Sequence, residues 1–330
     1  MDYTDRIYGR VTIAAPVLLD LIQSRALQRM HGVLQHGISG LLGVTRPTTR
    51  FEHCVGAMLL VQRLGGPLIE QVAALLHDVS HTAFSHVIDY VYFGHDSQSY
   101  HEEVREAYLA RTDLPAILAH HGTDWRSLLD EAAFPLLEQP APALCADRLD
   151  YFLRDSLDLG LASLSDIEAA LAGLVVHAGR IAVRDRVTAL WLADTYMAAD
   201  QASWANLREV GLYELCARAI RRAIRIEAIG EADLWSSDAA LWERMRRSDD
   251  AELQALLRLV SVETGFVLDP RAPTFRVSTK LRTIDPPVVM DGRLVPLSVL
   301  DADFARRRAA YLRAHSGAWP IRVIPPPEAL

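Results

Sequence analysis

Histidine and aspartate side chains cluster in the first third of this 330-residue chain. His77 and Asp78 are adjacent, and the next histidine lies four residues after His77, so a continuing helix would place both imidazoles on one face. His86 and Asp89 repeat this pairing at a spacing of three. Imidazole with carboxylate, and without thiolate, suits a divalent ion such as Mn, Fe, Mg, Zn or Co. The cluster therefore predicts a metal site.

A second polar group follows in a segment with helical periodicity. Asp147, Tyr151 and Asp155 recur every four residues and would form one stripe of carboxylate, phenol and carboxylate. Because a buried carboxylate needs a partner, a metal ion is one explanation for this stripe. The alternative is that Asp150 and Asp155 pair with Arg154 and neighbouring arginines on a solvated face. From the residues alone both interpretations remain open.

The elements that must position these residues are helical over almost all of residues 15–261. One predicted helix begins at Pro67 and runs into the His77-Asp78 pair. Another is predicted over residues 143–159, where it would carry the second polar group. For the helix after that one, the spacing of Ser165 and Glu168 predicts a capping box.

Strand patterns interrupt the helices once and then dominate the C-terminal part of the chain. Residues 174–183 read as a hairpin, and an Asp-Gly pair at 291–292 predicts a second one. A last helix is predicted over 301–315, before a strand-like run. We therefore predict a helical body and a small C-terminal α+β region, with these bounds: 1–262 for the body, about 27–160 for its metal-site core, and 263–330 for the α+β region.

The composition narrows the classes of function. Half of the residues are apolar, which allows a sizeable core and excludes disorder. No apolar run approaches the roughly 18 residues of a membrane span, so we expect a cytoplasmic protein without a membrane partner. Three scattered cysteines exclude a zinc ribbon. The formal charge of −8 disfavours nucleic acid as the main partner.

The ordered residues His53, His77-Asp78 and Asp147 carry a resemblance to a known family. They match the H…HD…D motif of the HD superfamily of metal-dependent phosphohydrolases. The chain is most similar to its branch of deoxynucleoside triphosphate triphosphohydrolases (dNTPases), in four segments: residues 27–35, 49–53, 76–89 and 147–155. The similarity is strong over residues 7–160 and weaker through the tail at 280–285. It implies an all-α HD-domain fold for the helical body.

The resemblance also implies a role for each matching position. The divalent metal ion would be held by His53, His77, Asp78 and Asp147. The scissile α-phosphate would be surrounded by His81, His86, Asp89 and His101. In that set His86 would donate a proton to the leaving 5′-oxygen, supported by Asp89. The substrate would be bound by Gln35, Arg50, Arg148, Tyr151 and Asp155. Of these, Gln35 and Asp155 would read the 3′-hydroxyl, and a site that bonds to a hydroxyl rejects analogues without it.

The predicted reaction is dNTP plus water to deoxynucleoside plus triphosphate, in a homo-oligomer whose main partner is its nucleotide substrate. One alternative is an HD phosphatase acting on nucleoside monophosphates or another small phosphate ester. A further alternative is a non-catalytic regulator that binds nucleotide or nucleic acid. Gln23 and His31 replace the Asp and Arg with which many relatives grip an activating guanine nucleotide, so we expect no guanine gate of that design. His95 is a further candidate for a second metal or a substrate contact.

Overall fold

The computed structural model describes residues 1–92, 98–278 and 280–327, so His95 lies outside the described residues. Helices dominate these residues, as the sequence predicts. The α-helices in chain order are α1 (Pro16–Ile22), α2 (Arg25–Gln28), α3 (Gly37–Leu41), α4 (Arg50–Arg63), α5 (Leu68–Leu76), α6 (Val87–Tyr92), α7 (Tyr100–Glu103), α8 (Arg105–Ala110), α9 (Leu114–His120), α10 (Ala146–Asp158), α11 (Leu164–Gly173), α12 (Arg186–Ala199), α13 (Leu207–Arg225), α14 (Glu231–Leu234), α15 (Asp238–Arg246), α16 (Ala251–Leu259), α17 (Leu297–Leu300) and α18 (Ala302–His315). A π-helical turn, Asp200–Trp204, connects α12 to α13.

The strands are short and form three small sheets. In chain order they are β1 (Asp2–Asp5), β2 (Gly9–Thr12), β3 (Leu174–His177), β4 (Arg180–Val183), β5 (Gly265–Leu268), β6 (Phe275–Val277), β7 (Pro287–Met290), β8 (Arg293–Pro296) and β9 (Trp319–Ile324). The sheets have the orders β1-β2, β3-β4-β7-β8 and β5-β9-β6. Strands β4 and β7 pair in parallel, with Val183 opposite Val288, and this pair joins the first predicted hairpin to the C-terminal region.

Both predicted hairpins are confirmed. In the first, β3 and β4 pair with His177 opposite Arg180. In the second, Met290 lies opposite Arg293, and both turn residues between them, Asp291 and Gly292, have positive φ. A two-residue turn with φ above zero at both positions matches the twist of the strands, which is why the Asp-Gly pair predicts it.

The capping box of α11 lies two residues earlier than predicted. Ser163 accepts a hydrogen bond from the backbone N–H of Asp166, and the Asp166 carboxylate accepts one from the Ser163 backbone at 2.9 Å. The predicted pair, Ser165 and Glu168, is already inside the helix, so the chain there is no longer extended and cannot form a cap. Helix α10 likewise begins three residues later than predicted, because Cys145 before it is extended.

The apolar core consists of two clusters, and each of them includes residues of the C-terminal region. In the first, α4 packs against both α5 and α10, which are the three helices that carry the predicted metal ligands. Phe304 of α18 is buried in this cluster. The second cluster surrounds α13, with α6, α16 and Ile321 of β9. The chain is thus a helical body with a small α+β region packed on it, whereas the division at residue 262 stays a prediction. Among the described residues, no helix has the length and apolarity needed to cross a bilayer.

Candidate metal centre and active site

The start of α4 is fixed by its cap, and this places two site residues. Thr49 accepts a hydrogen bond from the backbone N–H of Glu52, and the Glu52 carboxylate accepts one from the Thr49 backbone at 2.9 Å. The helix therefore begins at Arg50, the residue after the cap. Arg50 and His53 are three positions apart and point from the same face of α4 into the site.

The other predicted ligands also lie at helix ends. Helix α5 ends at Leu76, so that His77 and Asp78 lie where the chain leaves the helix. Asp147 lies in the first turn of α10, where the exposed backbone N–H groups favour a negative charge. Three separate helix ends therefore bring imidazoles and carboxylates to one point.

The ligand atoms of these residues are close together. His53 Nε2 lies 3.0 Å from Asp147 Oδ1, and His77 Nε2 lies 3.3 Å from the same oxygen. The two imidazole Nε2 atoms are 3.2 Å apart. Asp78 Oδ2 lies 3.5 Å from His53 Nε2, and Asp78 Oδ1 lies 3.7 Å from His77 Nε2. Four side chains from three helices thus converge their donor atoms as a metal site requires.

Hydrogen bonds on the far side of each ring orient the two imidazoles. His77 Nδ1 lies 2.7 Å from the carbonyl oxygen of Ala74, and His53 Nδ1 lies 2.8 Å from Asp150 Oδ2. A ring fixed through Nδ1 directs Nε2 into the cluster, where a bound cation would take the place of the Nε2 proton. Asp150 is therefore a supporting residue of the centre, which the sequence reading did not assign to the site.

Asp150 belongs to a buried ion-pair network behind the metal centre. It bonds to Arg154 through both carboxylate oxygens, at 2.8 and 3.1 Å, and accepts a hydrogen bond from the Tyr8 hydroxyl at 2.8 Å. Arg154 also bonds to Asp5. The expected pairing of Asp150 with Arg154 is present, but both side chains are fully buried rather than solvated. Gly56 of α4 faces this pair, and a Cβ there would overlap both side chains.

Electrostatics make the ligand cluster attractive to a cation. Burial disfavours a charged His53, but hydrogen bonds to Asp147 and Asp150 outweigh this and raise the pKa of His53 to about 10. Burial also disfavours a charged Asp78, but Arg50 and the neighbouring imidazoles hold the pKa of this carboxyl well below its usual range. Burial disfavours a charged Asp147 as well, but hydrogen bonds from His53 and His77 outweigh this effect and lower the pKa of Asp147. Both carboxylates are therefore ionised at neutral pH and available as ligands.

Two further histidines, His81 and His101, lie beside Asp78, and the ring of His86 lies edge-on to both of them. Asp78 Oδ1 is 3.3 Å from His81 Nε2 and 4.0 Å from His101 Nε2, and the rings of these two histidines stack with centroids 3.9 Å apart. Burial lowers the pKa of His101 to about 3 and holds that of His81 well below its usual range, with help from Arg50. Both rings are therefore neutral and can accept as well as donate.

His86 is oriented by Asp89, as the sequence predicts. Its Nδ1 lies 3.1 Å from Asp89 Oδ2, while Oδ1 of the same carboxylate accepts a hydrogen bond from the Tyr100 backbone at 2.9 Å. Burial lowers the pKa of His86, and the bond to Asp89 opposes that shift. With Nδ1 held in this way, Nε2 is the atom of His86 that can exchange a proton.

A buried carboxylate outside the site holds two of its loops together. Asp238 accepts hydrogen bonds from the backbone N–H of Leu34 at 3.0 Å and of Phe84 at 2.8 Å. Phe84 and Ser85 both have positive φ, so this anchor stabilises an uncommon conformation just before His86. Burial raises the pKa of Asp238 to about 7.

The donor set fits a divalent metal ion. His53, His77 and Asp147 offer ligand atoms within 4.8 Å of one another, and a second set of atoms with the same spread belongs to His81, His86 and His101. Nδ1 of His81 and Nδ1 of His101 are buried and have no hydrogen-bond partner among the described residues. Such orphaned nitrogens are costly unless a ligand completes them. The mixed imidazole and carboxylate donors suit the ions expected from the sequence.

One cavity contains twelve of the thirteen predicted site residues: Gln35, Arg50, His53, His77, Asp78, His81, His86, His101, Asp147, Arg148, Tyr151 and Asp155. Asp89, the thirteenth, supports His86 from behind the cavity wall. The structure therefore brings together residues that the sequence separates by up to 120 positions.

The predicted substrate-binding residues differ in whether their polar atoms already have hydrogen-bond partners. Gln35 Oε1 is buried and has no hydrogen-bond partner among the described residues. Asp155 already binds His36 Nε2 at 2.9 Å and the Trp204 indole N–H at 2.7 Å. The Tyr151 hydroxyl lies 2.5 Å from that of Tyr196.

The two predicted phosphate-binding arginines are already engaged. Arg50 pairs with Asp78 and donates to the Ser85 hydroxyl at 2.7 Å. Arg148 donates to the carbonyl oxygens of Ala143 at 2.7 Å and Gln139 at 3.2–3.3 Å.

The cavity also contains residues that sequence reasoning did not assign to it. Trp204 lines the wall beside Tyr151. Lys280 and Arg282 enter from the C-terminal region, within the tail whose similarity was noted at 280–285. That tail was the available signal, but without a fold it could not be placed near the metal ligands.

Gln23 and His31 lie outside the cavity lining. Gln23 ends α1, and the His31 ring stacks on Phe51 with centroids 3.7 Å apart. The contact with Phe51 gives His31 a packing role within this chain, whereas Gln23 is exposed.

The fold and the converging His and Asp ligands define a metal-dependent hydrolase. The family described as the HD domain matches residues 50–155, the span that begins at Arg50 and contains all four predicted ligands. The chain belongs to the HD family of metal-dependent phosphohydrolases. It is 38% identical over 317 residues to metal-dependent phosphohydrolase cns2 of Cordyceps militaris, an alignment that covers 93% of this chain and 91% of that protein.

Other relatives extend this comparison. The uncharacterized protein YdhJ of Bacillus subtilis is 37% identical, over 97% of this chain and 98% of its own length. The dNTPase SAMHD1 of Danio rerio is 24% identical, over 51% of this chain and 35% of that protein. The crystal structure of phosphohydrolase BT4208 from Bacteroides thetaiotaomicron has the same fold, with a TM-score of 0.68 at 17% identity, covering 91% of this chain and 94% of its own.

Proposed function

We propose that this enzyme hydrolyses deoxynucleoside triphosphates to deoxynucleoside and inorganic triphosphate. The observation that carries the proposal is that Gln35 and Asp155, the predicted readers of a sugar hydroxyl, line the same cavity as the metal-ligand cluster. Gln35 Oε1 is buried without a partner, and a substrate hydroxyl would complete it. The distant similarity to a dNTPase supports the same substrate class.

His53, His77, Asp78 and Asp147 would hold the divalent ion, which we expect to be Mn, Fe, Mg, Zn or Co. When bound, such an ion polarises a phosphoryl oxygen and lowers the pKa of a coordinated water from 15.7 toward about 7. Arg50 pairs with Asp78 and would neutralise charge that develops on the phosphate.

The remaining residues act on protons and orientation. His86 would donate a proton from Nε2 to the leaving 5′-oxygen, because Asp89 holds its Nδ1. Burial lowers the pKa of His86 and favours its neutral form, whereas a phosphate anion bound beside it would favour the protonated ring. His81 and His101, both neutral, would donate hydrogen bonds to the phosphate oxygens.

A second candidate is an HD phosphatase acting on nucleoside monophosphates or another small phosphate ester. The observation that favours it is the engagement of Asp155 by both His36 and Trp204, which leaves this carboxylate fewer free positions for a sugar hydroxyl. The metal ligands and the proton donor would serve either reaction. A matching family and 38% identity to a named phosphohydrolase support catalysis over a purely regulatory role.

The deciding experiment incubates the purified enzyme and Mn²⁺ with separate dNTPs, NTPs and NMPs and resolves the products by ion-exchange chromatography. Intact triphosphate from a dNTP is the expected product. Successive appearance of dNDP and dNMP would contradict the proposal, and turnover of monophosphates alone would favour the phosphatase. The variant Asp147→Ala measures contaminating activity. We also propose a homo-oligomer, for which light scattering after size exclusion gives the mass.

A further inference from the structure

A short C-terminal segment, residues 280–283, closes one wall of the cavity. All four residues line it, and the segment is anchored from outside. The backbone N–H of Arg282 donates to Asp200 Oδ2 at 3.1 Å, and the Thr283 hydroxyl accepts a bond from Arg308 at 3.0 Å. These anchors direct two cationic side chains toward the cavity. One of them, Lys280, is the only lysine of the chain.

Lys280 and Arg282 differ from the other basic residues of the cavity because those residues form ion pairs with carboxylates. Arg50 pairs with Asp78, and Arg105 pairs with Glu131 at 3.0 Å. Within the described part of the chain, Lys280 and Arg282 form no ion pair with a carboxylate. The Arg282 guanidinium contacts the neutral Gln98 side chain and the Lys280 carbonyl oxygen at 3.1 Å. It also lies 5.9 Å from the centre of the Trp204 ring.

We propose that Lys280 and Arg282 form a second phosphate subsite, which binds a phosphate group of the substrate other than the one at the metal centre. A half-buried guanidinium that forms no ion pair is costly, and a bound anion reduces that cost. Arginine offers a planar fork of N–H donors that matches a phosphate, and lysine adds a mobile point charge. The subsite rests on the proposed function, since it gives a polyphosphate a second point of attachment.

The single lysine allows this subsite to be tested on the unmodified protein. Pyridoxal 5′-phosphate condenses its aldehyde with a lysine amine and releases water, and borohydride then reduces the imine to a stable secondary amine. The α-amino group of Met1 is the other candidate amine, and it is bonded to the carbonyl oxygen of Ile13 at 2.8 Å. Peptide mapping by mass spectrometry separates the two products.

We expect pyridoxal 5′-phosphate to label Lys280 at least tenfold faster than pyridoxal, which lacks the phosphate. Inorganic triphosphate should protect Lys280 at lower concentration than orthophosphate. Arg282→Gln should raise the protecting triphosphate concentration by about tenfold to a hundredfold, the usual worth of a charged hydrogen bond. The control Arg258→Gln makes the same charge change at an exposed position on α16 and should leave protection unchanged.

Kinetics give a second measurement. Lys280→Met should raise KM for a triphosphate substrate by about tenfold while kcat changes less, and Lys280→Arg should restore most of the loss. Equal labelling by the two reagents, or protection that Arg282→Gln does not change, would overturn the subsite. Labelling needs no turnover, so a failure of dNTP hydrolysis would refute the proposed function while leaving the labelling result readable.

Discussion

Asp150 holds the ring of His53, a predicted metal ligand, and Asp150→Asn tests whether this contact supports metal binding. The variant keeps the shape of the side chain but removes its charge. His53 then loses the carboxylate that lies 2.8 Å from its Nδ1 and keeps its Nε2 toward the cluster. Loss of such a supporting carboxylate lowers metal affinity by about 10- to 100-fold, which corresponds to about 1.4–2.7 kcal/mol. We expect Mn²⁺ affinity to fall within that range.

The same substitution also weakens the buried ion-pair network. Arg154 would keep Asp5 as a carboxylate partner at 2.8 Å but lose Asp150. Breaking a buried pair by removing one partner costs about 3–5 kcal/mol, and the remaining bond to Asp5 reduces this loss. Thermal unfolding followed by circular dichroism should therefore show a lower Tm. Equilibrium dialysis against graded Mn²⁺, with metal content by mass spectrometry, should be carried out well below that temperature.

Two further variants separate the metal effect from a general loss of stability. Asp158→Asn removes an ion-paired carboxylate from the same helix, where it binds Arg6, and should leave Mn²⁺ affinity unchanged. Tyr8→Phe removes one hydrogen bond to Asp150 but keeps its charge, so its effect on affinity should be smaller. If Asp150→Asn is folded and binds Mn²⁺ as tightly as the parent protein, the orienting role is refuted.

Further predictions concern the ligands, the proton donor, regulation and pH. His77→Ala should abolish activity and markedly lower bound metal at unchanged far-UV circular dichroism; full metal content would contradict its assignment as a ligand. His86→Ala should retain metal and lose turnover by about 10² to 10⁴. Loss of metal would instead place a second ion among His81, His86 and His101. A single dNTP should be hydrolysed without guanine nucleotide, because Gln23 and His31 lack the charges of the usual gate; strict dependence on added dGTP would show otherwise. Burial raises the pKa of Asp238 to about 7, so the folded protein binds the proton of this carboxyl more tightly than the unfolded chain does. The resulting stabilisation is complete below about pH 4 and is lost as pH rises through about 7. Asp238→Asn cannot ionise, and its Tm should fall less than that of the parent between about pH 5 and pH 8; an equal fall would refute this.

The helices and the metal ligands could be predicted because their signals are local. Thr49 caps the start of α4 and Pro67 precedes α5, so the positions of His53 and His77 follow from local signals. Gly160 marks only the end of α10, and the start of this helix, which carries Asp147, was predicted three residues early. The N-terminal hairpin of β1 and β2 was not predicted, since neither four-residue strand has an apolar run or an alternation of its own. Its formation depends on packing of the folded chain.

The supporting residues of the site depend on contacts across the whole chain. Asp150 reads as one more charged residue on a helix until His53, 97 positions earlier, is placed against it. Trp204 reaches the cavity through a π-helical turn, which periodicity does not reveal. Lys280 and Arg282 arrive from beyond the helical body. In each case the sequence around the residue carries no distinctive motif, and the residue meets the other site residues only in the folded chain.

Gly56 shows how far the requirements of the metal centre extend into the protein. It contacts no predicted ligand atom, yet the space that it leaves is filled by the Asp150 and Arg154 side chains. An alanine at this position would add a single methyl group, with no charge and no polarity, and would push the carboxylate away from His53. Mutational tolerance at position 56 is therefore set by the buried Asp150–Arg154 pair behind the predicted metal ligands rather than by helix propensity. A survey of variants restricted to ligand and substrate contacts would count this glycine as neutral, although it limits which sequences can hold the metal.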